Sequence, residues 1–247
     1  MEPYVFQITK AECLDLPDKT YQVRYVECTG EQRRLYKQVK DEWYEENWQK
    51  LPEDMKILQL FSRLQQVACG FLNRDAERIE VAHRRHEVLG SVIDGIGAQK
   101  VIVWGKFHYD IDGICDTLKA KGLSFARMDG RMNPTERQES IDRFRGDTQI
   151  LVMTQGTGGM GLTLNEASYV IYYSNTFKYS DRIQSEDRCH RIGQTKKLTY
   201  VDIVCDGTID ERIRACLGEK KGLLEDFREK LKTVKTAKGL KGLLKKL

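Results

Sequence analysis

The sequence predicts an α/β fold: a parallel β-sheet flanked by helices over roughly residues 80–217, preceded by a mainly helical N-terminal segment. Two observations carry this. Short runs continuous in apolar residues, "KVIVWG", "TQILVMT", "YVIYYS" and "KLTYVDIV", mark strands buried on both faces. Helix-patterned stretches of roughly 10–14 residues alternate with them, long enough to carry the chain back and lay the next strand parallel.

Taken in order, "TYQVRYVEC" (20–28) alternates like a half-buried strand. Thr29 then caps a helix running to about Trp48, with Glu31 early in its first turn. Residues 53–69 form a second predicted helix and 80–95 a third, with a break around Gly70 to Arg78. From Lys100 the strands begin: "KVIVWG", helix "DIDGICDTLKAKG", strand "LSFARMDG", helix "NPTERQESIDRFRG" and strand "TQILVMT". Strand "YVIYYS", helix "SDRIQSEDRCHRIG" and strand "KLTYVDIV" follow, and one long helix from about Ile209 fades into a lysine-rich tail. The expected division is 1–79, 80–217 and 218–247.

The 247 residues suffice for a sizeable core, and a hydrophobic content of 40% with 32% charged residues fits a globular chain. No apolar run reaches membrane-spanning length, and the N-terminus lacks the pattern of a secretory signal. Seven scattered cysteines without a CxxC pair read as reduced thiols, and no metal site is expected. The formal charge of +4 is unevenly placed: from Arg228 onward the balance is +7, leaving about −3 for the rest. Global charge therefore makes no case for nucleic acid.

"GTGGMG" (156–161) directly follows a predicted strand. It satisfies G-x-G-x-x-G, yet only "LTLNEAS" separates Gly161 from the next strand, too short for the helix a dinucleotide fold needs there. It nearly fits the phosphate-binding loop, but Leu162 stands where that loop needs a lysine. What remains is either a tight turn or bare backbone whose N–H groups approach a phosphate closely.

"QSEDRCHRIGQ" (184–194) sets two arginines three residues apart, with Gln184 one turn before Arg188. On a helix, Gln184, Arg188 and Arg191 would share a face. A guanidinium is permanently charged, planar and bidentate toward phosphate oxygens. Taken alone, the stretch also fits a solvated helix laced with Glu186 and Asp187.

Together with "MDGRMNPTERQESIDRF" and "LVMTQGTGGMGLTLNEASYVIYYSNTF", this stretch resembles the C-terminal RecA-like lobe of Swi/Snf-type ATPases. These are superfamily-two helicase-like proteins that translocate along double-stranded DNA. "LPDKTYQVRYVECTGEQRRLY" is similar to the segment that follows the first lobe of that family, and "LQQVACGFLN" to the helical stretch before the second. The resemblance implies that Arg188 and Arg191 are arginine fingers reaching ATP held by the first lobe. Gln184, Gly159 and Gly161 would lie on the nucleotide side.

It further implies DNA-backbone contacts from Lys106, Arg131, Thr154 and Gln155. Thr154 and Gln155 stand where the family has a Ser-Thr pair, and Gly156 replaces a frequent arginine. Ser174 replaces a common aspartate and is given no role. Arg137 and His190 are expected to hold the lobe together.

The sequence contains no G-x-x-x-x-G-K-[ST] and no strand ending in an Asp-Glu pair suited to magnesium. The expectation is half a motor, a piece of a longer protein or the product of a split gene, in which ATP with Mg is bound mainly by a missing N-terminal lobe. The alternative is a catalytically silent DNA-binding or protein-interaction module. Expected partners are the double-stranded DNA backbone and that N-terminal lobe, with no membrane. The expected location is cytoplasmic for a prokaryotic or phage protein and nuclear for a eukaryotic one. The tail is expected to dock its apolar side on a RecA-like lobe while its lysines strengthen DNA binding.

Overall fold

The computed structural model describes residues 16–47, 54–156, 161–234 and 236–247. The chain enters through strand β1 (Lys19–Val26) and turns into helix α1 (Gly30–Asn47). Thr29 starts this helix: Gln32 N donates to Thr29 Oγ1 (3.1 Å) and Thr29 N donates to Gln32 Oε1 (3.0 Å), a reciprocal cap. Helix α2 (Asp54–Ala68) follows, then an antiparallel hairpin of β2 (Phe71–Arg74) and β3 (Glu77–Glu80).

The hairpin occupies the stretch that the sequence leaves as a break and the start of a helix. Its two turn residues, Asp75 and Ala76, have φ of 47° and 68°. A tight hairpin turn favours Asn-Gly or Asp-Gly at such positions, so Asp-Ala gives the sequence no signal. Helix α3 (Arg85–Ile96) consequently starts later than the expected 80.

The α/β alternation then proceeds as expected through β4 (Val101–Gly105), α4 (His108–Ala120), β5 (Phe125–Met128), α5 (Pro134–Arg145) and β6 (Ile150–Thr154). After β6 come β7 (Tyr169–Tyr172), α6 (Tyr179–Cys189) and β8 (Leu198–Cys205). Six strands form one sheet in the order β1-β8-β7-β4-β6-β5, every neighbouring pair parallel. The sheet is covered on both faces. Val101, Val103, Ile150, Val152 and Ile171 pack with Ile111, Ile114 and Leu118 of α4 on one side. Ile102, Trp104, Leu151, Met153 and Val170 pack with Ile141 and Phe144 of α5 on the other. Alternate residues feed opposite cores, which is why each strand reads as unbroken apolar sequence.

A third core unites the two ends of the chain. The predicted long terminal helix is three: α7 (Ile209–Gly218), α8 (Leu223–Lys232) and α9 (Ala237–Leu244). Lys220, at φ 59°, breaks the first junction, and Thr236 opens the last helix by accepting from Gly239 N (3.1 Å). These helices pack on α1 and α2 around Phe61, Leu64, Ile213 and Phe227. Leu240, Leu243, Leu244 and Leu247 are buried in this core beside Tyr36, Val39 and Trp43, so the tail docks on the helical cluster rather than on the sheet.

Candidate functional site

Because all six strands are parallel, the loops after β4, β5, β6 and β7 share one rim of the sheet, where α/β sites form. Gly105 pairs with Thr154, so Lys106 and Gln155 follow adjacent strands side by side. Arg131 belongs to the loop after β5. The structure thus brings all four DNA-backbone candidates to that rim, in different states.

Lys106 N donates to Ser174 Oγ (2.8 Å), and Ser174 Oγ donates to Asp110 Oδ2 (2.5 Å). Ser174, which the sequence left without a role, anchors this loop. The Lys106 ammonium turns inward: Nζ donates to Gln65 Oε1 (2.8 Å) and lies 2.9 Å from the Phe177 ring centroid. Burial depresses its pKa to about 7. Arg131 is exposed but already paired, bidentate to Asp112 (3.0 and 2.9 Å) and bonded to the fully buried Asp129 (2.8 Å). A phosphate would have to compete with two carboxylates for it.

Thr154 is buried at the end of β6. Both amide atoms of Gln155 are buried and find no partner among the described residues. Buried polar groups normally pair, which sets this amide apart from the other rim side chains. Gly159 lies outside the described residues. Gly161 emerges at φ 62°, the left-handed conformation that glycine tolerates.

The arginine stretch departs from the expected single helical face. Helix α6 ends at Cys189, so Gln184 and Arg188 share a face while Arg191 lies past the helix. The cause is the "IGQ" that follows. Gly193 sits at φ 96°, where an added Cβ would lie 2.6 Å from Asn165 Nδ2. Gln194 Nε2 donates to the carbonyls of Asn165 (3.1 Å), Ala167 (3.0 Å) and Cys189 (3.3 Å).

This clamp holds the end of α6 against residues 163–167. Leu164 N donates to Arg188 O (2.8 Å), and Arg191 Nη1 approaches Thr163 Oγ1 (3.4 Å). Both arginines therefore flank the exit of the glycine loop. Arg188 Nε is buried with no partner among the described residues, whereas Arg191 is exposed. His190 contacts Pro17 O through Nε2 (2.9 Å), and Arg137 reaches Gly130 O (3.5 Å).

The sequence reading missed Arg182. It is buried in α6, with Nε on Glu186 (2.9 Å), Nη1 on Asn175 (2.7 Å) and on Asp202 of β8 (2.5 Å). Glu186 is likewise buried, accepting from Tyr21 Oη (2.8 Å) and Lys19 Nζ (3.2 Å) of β1. Burial and the Glu186 carboxylate push the Tyr21 phenol well above its ordinary pKa. The Arg182–Glu186 spacing of four was the available signal. Through it, α6 is fixed to β8 and β1, and the helix carrying Gln184 and Arg188 is held rigidly.

The profile of the helicase conserved C-terminal domain matches residues 85–193, from the start of α3 to the Gly193 clamp. An SWI/SNF-related, matrix-associated regulator of chromatin from Caenorhabditis elegans is 31% identical over 192 residues, covering 73% of this chain and 19% of that protein. The chain carries the C-terminal RecA-like lobe of a Swi/Snf-type helicase.

An uncharacterized ATP-dependent helicase of Mycoplasma pneumoniae is similar to the lobe and its flanking segments, 29% identical over 90% of this chain and 22% of that protein. The Swi/Snf lobe thus spans about a fifth of the length of these relatives. Its fold matches the Sulfolobus solfataricus SWI2/SNF2 ATPase core solved with double-stranded DNA, at TM-score 0.71 and 22% identity, over 97% of this chain and 52% of that one. The C-terminal part of the Fun30 ATPase domain superposes at TM-score 0.62 and 19% identity, over 81% and 89% of the two chains.

Proposed function

We propose that this chain is the second motor lobe of an ATP-dependent translocase on double-stranded DNA, working with an N-terminal ATP-binding lobe. The observation that carries the reading is that the Arg188 backbone carbonyl and the Arg191 guanidinium both meet residues 163–164 at the exit of the glycine loop, while the buried Arg188 Nε has no partner among the described residues. Two guanidiniums, the Gln184 amide and the Gly161 backbone would make a donor set suited to a polyphosphate. Arginine fingers placed so would stabilise charge on the transferring phosphoryl group. ATP and its magnesium would be held by the N-terminal lobe.

On the sheet rim, Thr154, the Gln155 amide, which has no partner among the described residues, and Arg131 would contact backbone phosphates, which position a duplex without reading its sequence. Lys106 would join them only by leaving Gln65. The similarity to a SWI2/SNF2 core solved on double-stranded DNA supports this choice of nucleic acid.

The test is complementation. The isolated chain is expected to hydrolyse no ATP above background, and addition of a separately produced N-terminal lobe should give DNA-stimulated turnover. Arg188→Ala and Arg191→Ala should each lower that turnover by about 10³-fold or more, leaving nucleotide binding largely intact. Arg191→Lys should rescue poorly, because an ammonium cannot replace a planar fork. Full turnover by Arg191→Lys would overturn the finger assignment, hydrolysis by the chain alone would overturn its dependence on an N-terminal lobe, and no turnover with that lobe added would leave a catalytically silent module.

A further inference from the structure

The surface where the two chain ends meet carries a second charged feature, remote in sequence from the motor motifs. Helices α1 and α9 enclose a groove of about 480 Å³ lined by Lys37, Lys40, Lys241 and Lys245, with Tyr44 and Leu244 on its walls. Asp41 and Glu45 also line it, so four ammonium groups face two carboxylates. Lysines 37 and 40 stand on one stripe of α1, and Lys238 and Lys241 on one stripe of α9 that Lys245 continues at its C-cap.

The charges nearby behave differently on the two sides of residue 236. On α8 two of the three basic residues are neutralised within the fold, Lys230 by Asp226 (2.5 Å) and Arg228 by Asp54, leaving Lys232 without a carboxylate among the described residues. No carboxylate pairs with Lys37, Lys40, Lys238, Lys241, Lys245 or Lys246 among the described residues. Two of these ammoniums are steadied on aromatic faces, Lys40 5.1 Å from the Tyr36 ring centroid and Lys241 5.3 Å from that of Tyr44. Burial lowers the pKa of Lys40 against the opposing pull of the nearby Asp41 carboxylate.

We infer that the α1–α9 groove is a second docking site for the phosphate backbone of duplex DNA, separate from the rim of the sheet. This rests on the motor reading for its choice of polyanion. A lipid surface fits poorly, because an amphipathic helix binds a bilayer through its apolar face. That face of α9 is already occupied: Leu240, Leu243, Leu244 and Leu247 are buried against the helical cluster, and only the lysines face outward. The site is also built by docking, since its two lysine stripes come from opposite ends of the chain. Such a contact grips DNA whether or not the motor lobes are closed on nucleotide.

The experiment measures binding of the whole chain to a fluorescein-labelled duplex of about 20 base pairs by anisotropy, across a salt series. Removing one lysine–phosphate pairing should lower the log–log salt slope by about 0.9. The triple variant Lys37→Ala/Lys241→Ala/Lys245→Ala should therefore show a slope smaller by roughly 2–3 and at least tenfold weaker binding at low salt. The matching triple Lys→Arg variant should bind as the original does. All three positions are exposed, and circular dichroism checks that the fold persists.

An unchanged slope and affinity in the alanine triple sinks the groove assignment. So does tighter binding to phosphatidylserine vesicles than to DNA. If Gln155→Ala weakens DNA binding while the groove variant does not, the groove fails and the motor reading stands. The complementation assay reports on that reading independently.

Discussion

Lys106 gives the residue scale its clearest prediction. Its folded pKa is depressed to about 7, against about 10.4 for an unperturbed lysine. At pH below 7 both states carry the proton and the cost of burying the charge is fully present. As pH rises from 7 toward 10 the folded state releases its proton first, so this cost disappears and stability gains. Lys106 is largely buried, and the gain is on the order of a few kcal/mol. Lys106→Met should remove this rise, seen as a flatter dependence of the urea midpoint between pH 6.5 and 9.5. Parallel curves for the two proteins would show that the ammonium is solvated.

Gly193 makes a second residue-scale case. Its φ of 96° strains any residue that carries a Cβ, and the Asn165 amide would also have to swing away, so Gly193→Ala should cost about 1–3 kcal/mol in denaturant unfolding. A loss below 0.5 kcal/mol would mean that the turn after α6 adapts.

At the scale of elements, the strands were legible because each feeds two cores, leaving an apolar run with no helical period. Helix starts were legible where a side chain closes a cap, as Thr29 does for α1 and Asn133 for α5, the latter accepting from Glu136 N (3.0 Å). Turns made by residues that rarely adopt positive φ were illegible: Asp75-Ala76 in the hairpin and Lys220 between α7 and α8. The tail was half legible. Its apolar spacing marked a docking face, but which surface receives it depends on Tyr36, Val39 and Trp43, far away in sequence. Tyr36 Oη also donates to Leu247 O (2.5 Å) and accepts from Ile209 N (2.7 Å).

Removal of residues 236–247 should therefore do more than reduce charge. Four buried leucines go with it and an aromatic surface on α1 is uncovered, each leucine worth up to about 1.5–3 kcal/mol. A large fall in the urea midpoint is expected, together with increased binding of a hydrophobic dye. An unchanged midpoint would show that α9 adds charge alone.

For the molecule as a whole, the site's residue types were readable while their partnerships were not. The resemblance to the Swi/Snf lobe nominated Arg188, Arg191 and the rim residues, because its motifs are short and local in the sequence. The sequence held no sign that Lys106 would rest on Gln65, or that Arg131 would face Asp112 and Asp129, because those partners come from other elements. The same holds for the join between the helical cluster and the sheet, where Arg85 is fully buried. Its guanidinium donates to Ala68 O at the end of α2, to Tyr173 O after β7, to Ile203 O in β8 and to Asp210 in α7. Asp210 in turn accepts from Cys205 N (3.1 Å).

Four segments thus meet on one charge, and the Asp210 carboxylate keeps the Arg85 pKa raised despite the cost of its burial. Breaking such a pair from one side leaves an uncompensated buried charge, typically costing about 3–5 kcal/mol, whereas replacing both partners by apolar groups costs far less. Asp210→Ala should accordingly lower stability by that amount. The double variant Arg85→Met/Asp210→Leu should recover a large part of the loss. If the helical cluster and the sheet are coupled through this pair, fluorescence of Trp43 in the cluster and of Trp104 in the sheet should report one unfolding transition in the parent. In Asp210→Ala they should report two. A single transition in both proteins, with additive single-variant costs, would show that the two parts are held together by β1 and the packing around α2 instead.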